Sequence, residues 1–435
     1  MKTRIILLLM TAICLFRLSD VHAEAAPQSI RIGLFFGSKA LSQVSVGGTD
    51  LLLLDQAGNV IGNLGESGVQ TSYTVKPEAG ARNEKMINIY NAAGEMMLSY
   101  REDSNAIIHP MNAPIYINKK PYRGGVSFKI DKSGKLTVIN VLWLEEYLYG
   151  VVPKEMVYSW GMEALKAQAV AARTYAIRNY GRYGAQGFDL CPTQNCQVYG
   201  GIEAENPRTT QAVDETRGLV LYHAGKPIQA VYHSSSGGTT ENSENIWAEP
   251  IPYLRAVNDE FSLGSPHDEW EYEITKANLE KKLAAAGKKV GSILAISTDK
   301  VSENGRVLKM TIIGTKGSAS YEREGLRKFI GYSNLKSNWF MVGAAFAAPP
   351  SSDPFSDISA AVAQSLQSAG TVQPAAVFST AGMADTDLFL FRGRGYGHGL
   401  GMSQYGARKM AEKGYNFSDI LRYYFAGAEI VQLPH

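Results

Sequence analysis

Five short stretches of the chain hold residues whose types and spacing could do chemistry. Glu155 stands in Val151-Val-Pro-Lys-Glu155-Met156, with Val157 and Trp160 close behind. An apolar setting disfavours the charged carboxylate and raises its pKa toward that of a usable general acid. The alternative is a carboxylate at a helix N-terminus, stabilised by the macrodipole. Lys166 and Arg173 lie seven residues apart in an alanine-rich run, so they share one helical face. They could bind an anionic or polar substrate, or stand in solvent. From Arg392 to Gly401 glycine takes every second place. If extended, this run puts Arg392, Arg394, Tyr396 and His398 on one face and leaves the other bare, open to a neighbouring backbone or a flat sugar ring. No register of it fits G-x-G-x-x-G, so nucleotide binding has no support. In His233-Ser-Ser-Ser-Gly-Gly238 serine stands beside histidine, but no G-x-S-x-G elbow exists, and a hydroxyl-rich turn is the alternative. Cys191 and Cys196 form a C-x4-C pair, which is either two of the four ligands of a zinc site or a small disulfide loop.

The elements that must position these residues are legible in outline. Residues 161–180 read as a helix, alanine-rich and stopped at Gly181, with Leu165, Ala169, Ala172 and Ala176 as a narrow stripe against which another element packs closely. Residues 144–150 have helical spacing, and Pro153 is where a new helix or turn could begin. From 30 to 122 the chain reads as short strands between turns, and 126–130 with 135–142 as a β-hairpin. Further on come a helix at 275–286, a hairpin across 293–313, and two short helices at 402–413 and 418–426, the second capped by Ser418. Residues 344–385 are rich in Ala, Ser and Pro and read as a flexible excursion, with a weak helix near 358–368. The fold class is α+β. The divisions are a leader at 1–23, a β-rich region at 28–125, a main domain at 126–343, the excursion at 344–385 and a returning part at 386–433.

Composition narrows the function class. Lys and Arg number 43 against 41 Asp and Glu, a balance that gives no reason to expect a nucleic-acid partner. Lys2 and Arg4 precede an apolar run at 5–16, and Val21-His22-Ala23 offers a small-residue exit. That pattern describes a secretory signal peptide, cleaved or kept as an anchor. The protein is therefore expected outside the cytoplasm, secreted or held at the membrane.

Taken in order, the motifs resemble the SpoIID/LytB family, the stage II sporulation protein D and amidase enhancer group. The resemblance rests on Val151–Met156, Glu163-Ala-Leu-Lys-Ala-Gln168 through Arg173-Thr-Tyr175-Ala176, Cys196-Gln197-Val-Tyr199-Gly-Gly201, His233–Gly238, and Gly393 through His398 to Ser403-Gln404-Tyr405-Gly406-Ala407. It implies peptidoglycan chemistry. Glu155 is the implied catalytic acid of a lytic transglycosylase that cuts MurNAc–GlcNAc bonds of denuded glycan strands, in a setting of sporulation and engulfment. Lys166, Arg173 and Tyr175 are implied to bind substrate and tune Glu155, and His398, Ser403, Gln404 and Tyr405 to line the same groove. Expected partners are glycan strands, a cell-wall amidase and other cell-wall or sporulation proteins. No cofactor is required. Metal-binding members place histidine directly before the second cysteine, where this chain has Asn195, so zinc and a disulfide both stay open at Cys191 and Cys196. The rival reading is a non-catalytic, wall-binding enhancer of an N-acetylmuramoyl-L-alanine amidase.

Overall fold

Alternation of apolar and polar residues builds the N-terminal unit. Val44 and Val46 are buried with Ser45 between them facing outward, and Tyr73 and Val75 flank Thr74 in the same way. The computed structural model describes residues 27–65, 68–81, 84–112, 114–344 and 387–434. The leader, the helix expected near 358–368 and the excursion beyond residue 344 lie outside them. One six-stranded sheet runs in the order Ser29–Phe35, Leu136–Trp143, Gly125–Ile130, Ile107–Pro110, Leu51–Leu54, Val60–Leu64. A second runs Lys120–Tyr122, Ile115–Ile117, Val44–Thr49, Gln70–Ala79, Lys85–Tyr90, Met96–Arg101. Their apolar faces contribute to one shared core. The expected hairpin is present, with Phe128 opposite Val138 and Ile130 opposite Leu136. Both of its strands belong to the first sheet, so a boundary at residue 126 falls inside that sheet, and the unit runs on to Trp143.

Helix α1 (Leu144–Glu155) follows without a break. It passes through Pro153 instead of restarting there. Proline in a last turn removes only one N–H, and the chain leaves the helix two residues later, with Met156 extended. Leu144, Tyr147, Leu148, Val151 and Val152 join the N-terminal core.

Helix α2 (Met162–Arg178) is the centre of the rest. It is buried almost all round, as a helix rich in small apolar residues requires. Ala169, Ala172 and Ala176 face the first core, while Ala164, Leu165, Ala167, Val170 and Ala171 face a second one. Of the narrow stripe expected from the sequence, Leu165 turns to the second core, and the remainder, Ala169, Ala172 and Ala176, is the side turned to the first. Its side chains are small because the neighbours come close.

Helix α3 (Pro207–Glu215) begins with Asn206 accepting the Arg208 N–H at 3.0 Å and with proline in the first turn. A short α4 (Ser243–Trp247) follows. Trp270–Thr275, α5 (Lys276–Ala285), three strands spanning 293–322, and α6 (Glu324–Ile330) then build a third apolar cluster. Strand Phe340–Ala344 pairs antiparallel with Leu388–Gly393, Ala344 opposite Phe389, so the chain resumes after the excursion beside the strand it left. Last come α7 (Gln404–Glu412), capped by Ser403, and α8 (Phe417–Tyr424). Asn416, not Ser418, caps α8: its side chain accepts the Asp419 N–H at 3.0 Å, and the Ser418 hydroxyl donates to that same side chain. Among the described residues no helix is long and apolar enough to cross a membrane.

Candidate active site

Glu155 is the last residue of α1, half-buried. The helix dipole at that end disfavours negative charge, which reverses the alternative of a stabilised N-terminal carboxylate. Desolvation by burial is the main cause that raises the carboxyl pKa above its ordinary value. Hydrogen bonds from the Val198 N–H, the Tyr232 hydroxyl and the Gln404 amide oppose it, with Lys154 adding a weaker pull in the same direction. The Val198 N–H reaches Glu155 Oε1 at 3.1 Å. None of these bonded partners is a carboxylate.

Each partner is held by a different part of the chain. Val198 and Gln197 follow Cys196 in a loop fastened to α1: the Gly200 N–H donates to the Gly150 carbonyl at 3.1 Å, and the Tyr199 ring lies so close to Gly150 that a Cβ there would meet it at 2.6 Å. Gln197 Nε2 donates to the Tyr232 hydroxyl at 2.9 Å. That fills an acceptor position of the phenol and leaves its own proton for Glu155. Gln404 Nε2 donates to Gln168 Oε1 at 3.2 Å, so α2 steadies the amide that faces the carboxyl.

Tyr232 and Gln404 are brought together because the serine motif and the glycine-rich motif are two halves of one structure. Tyr232–His233 pairs in parallel with Met402–Ser403, the Ser235 and Tyr396 backbones exchange hydrogen bonds, and the Tyr405 N–H donates to the Ser234 carbonyl. The alternating glycines are not an extended bare face. Beyond Gly393 the strand ends, and Gly395, Gly397, Gly399 and Gly401 all have positive φ. A Cβ at Gly397 would meet His233 Cβ at 2.5 Å and one at Gly401 the Val231 carbonyl oxygen at 2.2 Å. Glycine is required by backbone conformation and by the crossing of the serine segment, leaving no open face for a sugar.

Of the residues expected at the site, Glu155 and Gln404 meet. Tyr405 flanks them, its ring 5.0 Å from that of Trp160 and 6.3 Å from that of His267. Tyr175 is buried between the tyrosines near Glu155 and the cysteine pair, accepts from Arg182 at 3.3 Å, and has its pKa pushed up to about 12 by burial. The other four lie elsewhere. Arg173 is fully buried, bidentate on Glu145 of α1 at 2.7 and 2.6 Å, and donates to the carbonyls of Val213 and Leu219. All three of its guanidinium nitrogens are engaged, tying α2 to α1, α3 and the strand that begins at Leu219. Lys166 pairs with Glu163 at 3.1 Å and with Glu215 of α3 at 2.7 Å. Ser403 caps α7, accepting the Gly406 N–H, and touches the buried Asp259 and Tyr424. His398 accepts the Leu400 N–H at 3.0 Å and donates to the Tyr232 carbonyl, and burial first of all pushes its pKa down to about 3. Tyr232, Gln197, Gln168 and the Val198 N–H are the contributors that residue types alone did not mark, although Gln168 and Gln197 stand inside matched motifs.

The two cysteine sulfurs are 2.7 Å apart, and the Cys196 thiol donating to Cys191 is the main cause that pushes the Cys191 pKa down to about 5. A tetrahedral zinc takes four ligands, and among the described residues no three His, Cys, Asp or Glu side chains converge here or elsewhere. Cys191 and Cys196 alone supply two of the four ligands that such a site needs.

Comparison with known proteins agrees with this arrangement of motifs. Residues 132–223, which hold Glu155, α2 and both cysteines, match the family described as stage II sporulation protein. The chain is 32% identical over 370 residues to the amidase enhancer of Bacillus subtilis (strain 168), covering 82% of this chain and 50% of that protein. It is 29% identical over 320 residues to stage II sporulation protein D of the same organism, covering 70% and 79% respectively. The chain thus spans about half the length of the amidase enhancer and most of the sporulation protein. Through its matched segment 132–223 and both of these relatives, the chain is similar to the SpoIID/LytB family, the group of stage II sporulation protein D and the amidase enhancer.

Proposed function

We propose that the protein acts on the cell wall outside the cytoplasm as a lytic transglycosylase, with Glu155 as its acid and then its base. One observation carries the reading: a carboxyl with a raised pKa, held by three uncharged hydrogen-bond donors and, among the described residues, with no second carboxylate among its partners. Protonated Glu155 gives its proton to the glycosidic oxygen as the bond from the MurNAc anomeric carbon breaks. The muramyl 6-hydroxyl then attacks that carbon and returns its proton to the Glu155 carboxylate. The product is a 1,6-anhydro end, and no water or second acid is consumed. Sporulation is the proposed setting, drawn from the name of the relative in Bacillus subtilis.

The test is to incubate the protein with denuded and peptide-bearing glycan strands and read the ends by mass spectrometry. Glu155→Gln is expected to lower formation of anhydro ends by about 10²–10⁴-fold, the usual contribution of a general acid, while the fold is retained. A second reading has its own support, since a relative matching 82% of the chain is named an amidase enhancer. Intact strands with the wild-type chain, together with faster cleavage by an added amidase, would select that reading.

A further inference from the structure

The outer face of the second N-terminal sheet carries a groove of about 390 Å³, lined among others by Ser45, Gly47, Gln70, Ser72, Tyr116 and Lys119. Among the described residues its lining has one cation and no carboxylate. Gly47 sits opposite Tyr116 on one side and Ser72 on the other, so the floor is bare exactly where two walls rise. The Ser45 and Ser72 hydroxyls are 3.2 Å apart on that face.

Lys119 supplies a second, independent observation. Asn118 and Lys119 form the two-residue turn between Ile115–Ile117 and Lys120–Tyr122, both with positive φ, 47° and 69°. Such turns favour glycine in the second place, and lysine there is sterically costly. The turn is pinned over the groove: the Ser45 N–H donates to Asn118 Oδ1 at 3.1 Å, and the Asn118 N–H donates to the Ser45 carbonyl at 2.9 Å. A strained lysine fixed at the rim of a hydroxyl-lined groove points to an anionic ligand with many hydroxyls.

We propose that this groove is a second glycan-binding site, separate from Glu155, for an amino sugar bearing a free carboxylate. The apolar face of the ring stacks on Tyr116, its polar substituents meet Ser45, Ser72 and Gln70, and the carboxylate pairs with Lys119. The choice of a glycan rests on the function proposed above; the groove and its charge do not.

The test is calorimetric titration of the full chain carrying Glu155→Gln, which leaves strands uncut. The probes are a GlcNAc–MurNAc tetrasaccharide with free lactyl carboxylates and chitotetraose, which has none. The muramyl probe is expected to fill two sites in the parent and one in Tyr116→Ala. Lys119→Glu, an exchange on an exposed turn, is expected to weaken the muramyl probe about tenfold at that site and to leave chitotetraose unchanged. Unaltered titrations of both variants, or equal losses with both probes in Lys119→Glu, would overturn the site. Uncut strands with wild-type protein would remove the transglycosylase reading while these binding differences stand, so the two failures are distinguishable.

Discussion

At the scale of residues, the chemistry proposed for Glu155 depends on a contest between burial and donors. Burial raises its pKa, and the Val198, Tyr232 and Gln404 donors restrain the rise. An acid of this kind works only while protonated, so the rate falls as pH climbs through its pKa. Tyr232→Phe deletes one bond to the charged form and moves that falling limb to higher pH, which a pH–rate profile on glycan strands would register. The same limb in the same place would mean that the phenol does not act on Glu155. The apolar neighbours Val151, Val152 and Met156 made Glu155 a candidate in the sequence but left a helix-terminal carboxylate open, and the family resemblance is what singled it out. Sequence alone could not mark Tyr232, because a tyrosine at the end of an apolar run is ordinary until the Gln197 amide is seen directing its proton. Arg173 misled for the opposite reason. Its helical spacing from Lys166 is real, but spacing does not show that Glu145 waits for it across the helix pair.

At the scale of elements, that ion pair decides how three helices meet. A buried arginine with both edges engaged leaves an uncompensated carboxylate when removed. Arg173→Met is therefore expected to cost about 3–5 kcal/mol, and Arg173→Met with Glu145→Leu to recover most of it, as read by denaturant unfolding. A loss confined to substrate affinity, with stability intact, would return Arg173 to the binding role first expected of it. The helices themselves were legible: α2 announced itself through its alanines, and α7 and α8 through their stops at Gly414 and Gly427. The run from Arg392 to Gly401 was misread because glycine alternation looks like strand periodicity. Its cause is four left-handed positions and a crossing segment, which become visible only when both partners of the crossing are placed.

At the scale of the whole molecule, the three larger apolar cores among the described residues are accompanied by buried titratable groups. His233 and His398 face each other with ring centroids 5.5 Å apart, and burial holds the pKa of each below the usual histidine value. A histidine kept neutral in the fold but free to charge when unfolded gives stability that is complete above about pH 6.5 and lost as pH falls toward the folded value. For His398 the loss continues to about pH 3. Glu155 and Asp259, with raised pKa values, act in the opposite sense and lose a destabilising charge over part of the acid range. Unfolding measured from pH 7 to pH 4.5 is expected to show a shallower acid loss in His398→Gln than in the parent, by up to about 1.4 kcal/mol per pH unit. Identical slopes would show that His398 does not carry this proton linkage. The bond between Gln404 and Gln168 joins residues 236 positions apart. A chain emerging N-terminus first from a ribosome, or through any narrow pore, therefore has its acid residue early and the amide that restrains it late. The hydrogen-bonded surroundings of Glu155 stay unfinished throughout passage and close only after α7 has followed, so the chemistry proposed for Glu155 would have its complete setting only on the far side of whatever the chain has just crossed.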